Sequence, residues 1–158
     1  MYFEHSVDLA NDKLSFAFTY PYTYSALQQD LAILDNHQND MKTTGSMYYQ
    51  RELLTYSGDK RRVDLITISS VDGACLTQNE PLLSGLFPES RMSTDRPYLF
   101  PDKEVIFVSA RVHPGEVPGQ HTFNGILQLL VDPNDLCAKE LRARYVFKLI
   151  PMLNPDGK

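Results

Sequence analysis

Two short apolar runs near the carboxyl end of the chain constrain its fold more than any other feature. The first, VIFVSA, spans residues 105–110, and the second, VFKLIPML, spans residues 146–153. Continuous apolar runs of this length are typical of strands that are buried on both faces of a sheet. The residues between them have helical periodicity. We therefore predict a strand–helix–helix–strand unit with two parallel strands in an α/β sheet.

The segment between these strands contains two predicted helices. Four apolar residues would share one face of the first helix: Phe123, Ile126, Leu127 and Leu130. The sequence Asp132-Pro133-Asn134 would end that helix, and a further helix would run from Leu136 to Arg144. Ligands of open α/β sheets bind at the carboxyl ends of the strands, where this chain has His113-Pro114-Gly115-Glu116 and Asn154-Pro155-Asp156-Gly157.

The first 70 residues predict two hairpins and one helix. Weak alternation at Tyr2-Phe3 and clear alternation from Leu14 to Phe18, with Asn11-Asp12 as the turn, predict the first hairpin. Leucines at helical spacing predict a helix of about Tyr24 to Asn36, capped by Thr23 or Ser25. The runs YYQRELLTYS and VDLITISS predict the second hairpin.

Periodicity fails between Val71 and Asp102, where prolines recur. This predicts a long irregular connection, and connections of that length are usually functional or mobile. We expect a mixed sheet with helices on both faces. Two parallel strands and a hairpin would leave open sheet edges, so we expect the chain to be part of a larger domain.

Composition excludes several classes of function. The chain has 158 residues, 42% of them hydrophobic, and a net charge of −5, which argues against nucleic acid as a partner. Cys75 and Cys137 are far apart and predict two free thiols in or near the core, as expected in a reducing compartment. The sequence contains neither a signal peptide nor an apolar segment long enough for a membrane span, so we expect a cytosolic or nucleocytoplasmic protein.

His113 and Glu116 are the candidate metal ligands. Zinc binds imidazole nitrogen and carboxylate oxygen, and a catalytic site keeps one position open for water. Pro114 and Gly115 would fix a tight turn on which both side chains converge. The same spacing also fits a turn histidine that is hydrogen-bonded to a carboxylate, so both interpretations stay open on spacing alone. His121 is a possible substitute ligand, more typical of a helix surface.

A family resemblance favours the first interpretation. The segments SARVHPGE, FNGIL and VFKLIPMLNPDG resemble the zinc metallocarboxypeptidases, specifically the cytosolic carboxypeptidase branch, which removes glutamates from tubulin. FAFTYPYTYSALQ resembles the junction between that branch's N-terminal β-domain and its catalytic domain. The resemblance implies that residues 1–19 end the β-domain with its last hairpin, and that residues 20–158 begin a truncated catalytic domain.

The same resemblance assigns roles to individual residues. His113 and Glu116 match the first two zinc ligands, and Arg111 precedes the histidine as a second-shell residue or a surface ion-pair partner. The turn that contains Asn154, Asp156 and Gly157 is expected to shape the pocket. The third ligand, the general base and the arginines that bind the substrate carboxylate are expected beyond Lys158, so this chain alone is expected to be inactive.

The implied activity is zinc-dependent removal of glutamate from polyglutamylated tubulin. Implied partners are tubulin, microtubules and other glutamylated proteins, with a cytoplasmic location that is cytoskeleton-associated or nuclear. Composition does not itself indicate an acidic substrate. Two alternatives stay open: a zinc amidohydrolase or deacylase of small N-acyl amino acids, which would lack the FAFTYPYTYS junction, and an inactive truncated product that binds partners.

Overall fold

A mixed sheet of four strands forms the centre of the fold. The computed structural model describes Glu4, Ser6, residues 13–41 and residues 47–157. For residues 37–41 it describes the backbone but not the side chains. The elements in chain order are α1 (Tyr24–Met41), β1 (Met47–Tyr56), β2 (Arg62–Ser70), β3 (Cys75–Asn79), a 3₁₀ turn (Ser93–Asp95), β4 (Tyr98–Leu99), β5 (Glu104–Ser109), α2 (Val117–Val131), α3 (Leu136–Arg144) and β6 (Tyr145–Ile150). The main sheet has the order β1-β2-β6-β5, and β3 and β4 form a separate two-stranded sheet.

Helix α1 begins where the sequence predicts. The hydroxyl of Thr23 accepts a hydrogen bond from the amide of Ala26 (3.1 Å), which makes Thr23 the N-cap. Leu27 and Leu31 are almost completely buried. The helix ends at Met41 rather than near Asn36, because the sequence contains no glycine or proline between Asn36 and Gly45 to end it earlier.

The predicted second hairpin is confirmed. Strands β1 and β2 pair antiparallel from Met47↔Ser70 to Tyr56↔Arg62, with a bulge at Leu54. The turn closes with a hydrogen bond from the amide of Ser57 to the carbonyl of Arg61 (2.9 Å). The adjacent Lys60 has a φ of 61°, in the left-handed region that tight turns use.

The predicted parallel crossover is also confirmed. Strands β5 and β6 pair in parallel from Glu104↔Tyr145 to Ser109↔Ile150, and α2 and α3 connect them. Helix α3 has the predicted bounds, and the carboxylate of Asp135 accepts a hydrogen bond from the amide of Ala138 (2.7 Å) at its start.

All three helices lie on one face of the sheet. This face of the sheet is formed by Ile66, Ile68, Phe147 and Leu149. All three helices pack on it and contribute to the same core cluster: Leu27 and Leu31 from α1, Phe123, Leu127 and Leu130 from α2, and the partly buried Leu141 from α3. The expectation of helices on both faces is therefore wrong for the described residues. The connection after β2 covers part of the opposite face instead, where Phe87 packs against Val63, Leu65 and Ile150.

That connection is anchored by a buried cluster of charges. Arg96 forms ion pairs with Glu52 of β1 and with Glu80 (2.9 Å to the latter), and Lys148 of β6 also pairs with Glu80. The guanidinium lies 3.2 Å from the ring centre of Phe87. Burial raises the pKa of Glu52 and lowers that of Lys148. The segment predicted as irregular is therefore attached to the sheet and contains two short strands.

Strand β5 is less buried than predicted. It forms one edge of the main sheet, and Val105 and Phe107 are 62% and 59% exposed. Ile106 and Val108 point to the opposite side and pack against the core cluster. The expectation that β5 is buried on both faces is wrong, because the helices cover one face only and the connection does not extend over Val105 and Phe107.

The predicted first hairpin is not found. Its first strand and turn lie outside the described residues, and residues 13–20 contain no strand. Phe16 and Phe18 are 66% and 94% exposed, so the alternating side chains have no buried face to stabilise a strand. The proposed domain boundary at residues 19 and 20 stays a prediction.

The two cysteines lie outside the core cluster. Both thiols are free, as predicted, but Cys75 is only half-buried and Cys137 is exposed on α3. The prediction that both thiols lie in or near the core is therefore wrong for Cys137. Within residues 13–41 and 47–157, no helix has the length and apolar character that a membrane crossing requires.

Candidate metal centre

The turn after β5 places His113 and Glu116 next to each other. The chain leaves the sheet at Arg111, whose φ of 57° lies in the left-handed region and reverses the chain direction. The amide of Glu116 then donates to the carbonyl of His113 (3.2 Å) and closes the turn. Glu116 is the N-cap residue of α2, with a proline in the first turn of the helix.

The two side chains are in direct contact. Nδ1 of His113 lies 2.7 Å from Oε1 of Glu116, and the backbone amide of His113 donates to Oε2 (3.2 Å). These hydrogen bonds from His113 hold the pKa of Glu116 below its ordinary value. The side chains are 74% and 50% exposed. One imidazole nitrogen and one carboxylate therefore converge at the surface, where a third group can approach.

The turn after β6 supports the turn after β5. The amide of Asn154 donates to the carbonyl of Arg111 (3.0 Å), and its side-chain amide donates to the carbonyl of Val112 (3.1 Å). The side-chain oxygen of Asn154 accepts from the amide of Gly157 (3.0 Å). The prediction that both turns lie at the carboxyl ends of the parallel strands is confirmed, and these hydrogen bonds join the two turns.

The side chain of Asp156 contacts the β1–β2 hairpin. Its carboxylate accepts hydrogen bonds from the hydroxyl of Ser57 (2.8 Å), the amide of Asp59 (2.8 Å) and the guanidinium of Arg61 (2.7 Å). The hydrogen bond from the Asp59 amide is the largest of the effects that lower the pKa of Asp156. Sequence reasoning missed these three hairpin residues, since their spacing indicates only a turn.

Arg111 and His121 contact the segment before α1. A guanidinium nitrogen of Arg111 donates to the carbonyl of Tyr22 (3.0 Å). Nε2 of His121 lies 3.2 Å from the carbonyl of Tyr20, and its ring packs edge-to-face on Tyr22 (5.9 Å between centroids). Among residues 13–36 and 47–157, no group of three or more His, Cys, Asp or Glu could hold a metal. His121 therefore does not join the pair, and the side chains of His5 and His37 lie outside the described residues.

Comparison with known proteins identifies the family. The sequence model described as zinc carboxypeptidase (Peptidase_M14) matches residues 39–158. The chain belongs to the zinc carboxypeptidase family. Helix α1 begins before the matched residues, and its Leu27 and Leu31 pack into the same core.

The curated relatives that this zinc carboxypeptidase chain resembles include cytosolic carboxypeptidases. It is 49% identical over 147 residues to cytosolic carboxypeptidase-like protein 5 of Homo sapiens, a match that covers 90% of this chain and 16% of the relative. Cytosolic carboxypeptidase 6 of Caenorhabditis elegans is 37% identical, over 92% of this chain and 25% of that relative. The chain thus spans about a sixth to a quarter of the length of these relatives.

Solved structures agree with the fold. A putative carboxypeptidase A from Shewanella denitrificans superposes with a TM-score of 0.59 at 22% identity, covering 86% of this chain and 26% of that one. A metallo-carboxypeptidase from Burkholderia cenocepacia gives a TM-score of 0.53 at 19% identity, with 86% and 27% coverage. At this identity the likeness concerns the fold alone, and it supports the mixed α/β architecture.

The family implies zinc, and the donor set of His113 and Glu116 fits that metal. Imidazole nitrogen and carboxylate oxygen are both common zinc ligands. The two side chains are in contact and are 74% and 50% exposed, so an ion from solvent could reach both once the proton of the hydrogen bond between them is released. His113 and Glu116 therefore stay the predicted ligand pair of this zinc carboxypeptidase chain, and among the described residues no third His, Cys, Asp or Glu joins them in a group that could hold a metal.

Proposed function

We propose that the whole protein is a zinc-dependent carboxypeptidase that removes glutamate from polyglutamylated tubulin and other glutamylated proteins in the cytoplasm, in association with the cytoskeleton or in the nucleus. The observation that carries the proposal is the contact between His113 and Glu116 at the end of β5, in a chain of the zinc carboxypeptidase family. The names of the cytosolic carboxypeptidase relatives support a cytoplasmic location.

The proposed role of His113 and Glu116 is to bind the metal and not to transfer protons. His113 would donate an imidazole nitrogen and Glu116 a carboxylate oxygen, and the other contacts of the turn would keep both donors on one side. When bound, zinc lowers the pKa of a coordinated water and polarises a carbonyl group. Asn154 fixes the backbone of the turn beside Val112, so the ligand pair keeps its orientation without being buried.

The test is the His113→Ala variant of the full natural protein. Removal of a ligand should abolish zinc retention and glutamate release together, measured by metal analysis and by assay on glutamylated tubulin. His121→Ala is the matched control, because His121 contacts the Tyr20 carbonyl and not Glu116. Stoichiometric zinc with normal turnover in His113→Ala would disprove the assignment. Turnover of N-acyl amino acids but not of glutamylated tubulin would favour the deacylase alternative.

A second candidate concerns the chain 1–158 by itself. The described residues provide two ligands at the site and no third, which favours weak metal binding and an inactive, partner-binding role for this chain alone. We expect no glutamate release above background from the purified chain on a synthetic polyglutamate peptide. Release that is lost on adding a chelator and in His113→Ala would contradict this.

A further inference from the structure

Two turns that are far apart in the sequence meet at Asp156. Ser57, which donates to the Asp156 carboxylate, lies 99 positions away in the hairpin between β1 and β2. The same serine hydroxyl accepts a hydrogen bond from the amide of Arg61 (2.9 Å), and the Arg61 guanidinium also donates to Asp156. The carboxylate therefore closes a small network that includes both the side chains and the backbone of the hairpin turn.

The turn that contains Asp156 also contacts the turn with the metal-ligand pair. Asn154 donates two hydrogen bonds to that turn, one to the Arg111 carbonyl and one to the Val112 carbonyl. A Cβ atom added at Gly157 would lie 3.0 Å from Cγ of Pro114, so the glycine and the proline ring are in close contact. A four-residue turn thus lies between the hairpin on one side and the ligand turn on the other.

We propose that Asp156 is a positioning residue of the metal centre, through which the Ser57–Arg61 hairpin turn holds the ligand turn in place. The inference rests on the proposed role of His113 and Glu116 as zinc ligands. Both side chains are at least half exposed, so packing does not hold them. Their orientation depends on the backbone of their turn, which in turn depends on Asn154 and Gly157. Loss of a group that hydrogen-bonds a metal ligand directly typically changes metal affinity about 10–100-fold, and Asp156 acts one contact further out, so we expect the low end of that range.

The experiment measures zinc affinity of the full natural protein by competition with a chelator. Asp156→Asn keeps the shape of the side chain but removes its charge, and we expect the Kd for zinc to rise about tenfold. Hydrogen exchange followed by mass spectrometry should show faster exchange in the segment 111–116, with exchange in α3 unchanged. The visible spectrum of the cobalt-substituted protein should shift as well, since the geometry of the ligand pair changes.

Two further variants make the result specific. Ser57→Ala removes one of the three donors to Asp156 and should give a smaller change in the same direction, which provides a test if Asp156→Asn does not fold. Glu89→Gln is the control, because Glu89 pairs with Arg62 (2.6 Å) at the same end of the hairpin and has no contact with Asp156. It should leave zinc affinity and exchange at residues 111–116 unchanged.

The outcomes separate this inference from the proposed function. Unchanged zinc affinity and unchanged exchange in both Asp156→Asn and Ser57→Ala would overturn the positioning role, as would an equal loss of affinity in Glu89→Gln. If the wild-type protein binds no zinc at His113, the proposed function fails. The exchange measurement on residues 111–116 needs no metal, so it still decides whether Asp156 holds that turn.

Discussion

Gly157 lies against the ring of Pro114, with so little space that a Cβ at position 157 would come within 3.0 Å of the proline Cγ and 3.2 Å of its Cβ. Pro114 separates His113 from Gly115 in the ligand turn, and its ring is rigid. Any side chain at position 157 must therefore displace the turn that carries the proposed ligands. The contact joins the two chain segments that leave the parallel strands.

Gly157→Ala should weaken zinc binding by displacing Pro114. We expect a rise in the zinc Kd of several-fold, measured by chelator competition, because the neighbour is a rigid ring and not the end of a flexible side chain. Gly125→Ala in α2 is the matched control, since an added Cβ there has no atom within 4 Å. Alanine is also the better helix former by about 1 kcal/mol, so the control should be slightly more stable with unchanged affinity. Equal zinc affinities in the two variants would contradict the prediction.

Arg96→Met should strongly destabilise the protein. The side chains of Arg96 and Glu52 are 3% and 4% exposed, so loss of the arginine leaves a buried carboxylate without its partner. Removal of one member of a buried ion pair costs about 3–5 kcal/mol in the free energy of unfolding, measurable by urea denaturation.

The double variant Arg96→Met with Glu52→Gln should recover part of that loss, because the remaining Glu80–Lys148 pair is electrically balanced. Arg144→Gln is the exposed control. Its pair with Glu140 is 67% and 61% exposed, and its loss should change stability by less than about 0.5 kcal/mol. A double variant that is less stable than Arg96→Met would be inconsistent with this account.

The stability contributed by Asp156 should depend on pH in the acid range. Hydrogen bonds from the Asp59 amide, Ser57 and Arg61 hold its pKa in the folded protein below the ordinary value of 3.8. A carboxylate with a depressed folded pKa contributes stability above its unfolded pKa and loses it as pH falls through the folded pKa. The difference in unfolding free energy between wild type and Asp156→Asn should therefore be constant near pH 6 and shrink below pH of about 4. A difference that stays constant to pH 2 would refute the prediction.

The exposed side of β5 should make the isolated 158-residue chain self-associate. Val105 and Phe107 are 62% and 59% exposed on a strand at the sheet edge, a combination that favours edge-to-edge pairing. We expect aggregates or partly molten material in light scattering and size-exclusion chromatography. Phe107→Lys should reduce the association, whereas Leu136→Lys, a change at a 79% exposed residue of α3, should not. A monodisperse wild-type monomer with a cooperative thermal transition would show the prediction to be wrong.

Local sequence was sufficient for elements whose pattern depends on neighbouring residues. The apolar spacing from Phe123 to Leu130 predicted α2, and the run from Leu136 to Arg144 predicted α3, which Asp135 caps in the structure. The two apolar runs predicted β5 and β6, and turn residues between β-rich runs predicted the second hairpin. The segment His113 to Glu116 was recognisable because both residues lie on one turn, so their contact needs no other part of the chain.

Tertiary structure decided everything that depends on which surfaces meet. No periodicity reveals that the helices share one face of the sheet, since each apolar face fits either side equally well. The alternation from Leu14 to Phe18 predicted a strand, but Phe16 and Phe18 are 66% and 94% exposed, and alternation alone does not supply a surface that buries them. Arg96 is buried between the sheet and the connection after β2 because it pairs with Glu52 and Glu80. These residues are 44 and 16 positions away in the sequence, so no local pattern indicates the pairing.

The sequence by itself determined the secondary structure of the crossover and the pairing of His113 with Glu116, because the forces involved act between residues a few positions apart. Only the tertiary structure decided how that pair is held. The contact between Asp156 and Ser57 joins residues 99 positions apart, and it exists because the register of β2 on β6 and of β6 on β5 brings three turns to one end of the sheet. Hydrogen bonds between residues so far apart in the sequence form only after the sheet has brought the turns together, so local sequence carries no signal of them.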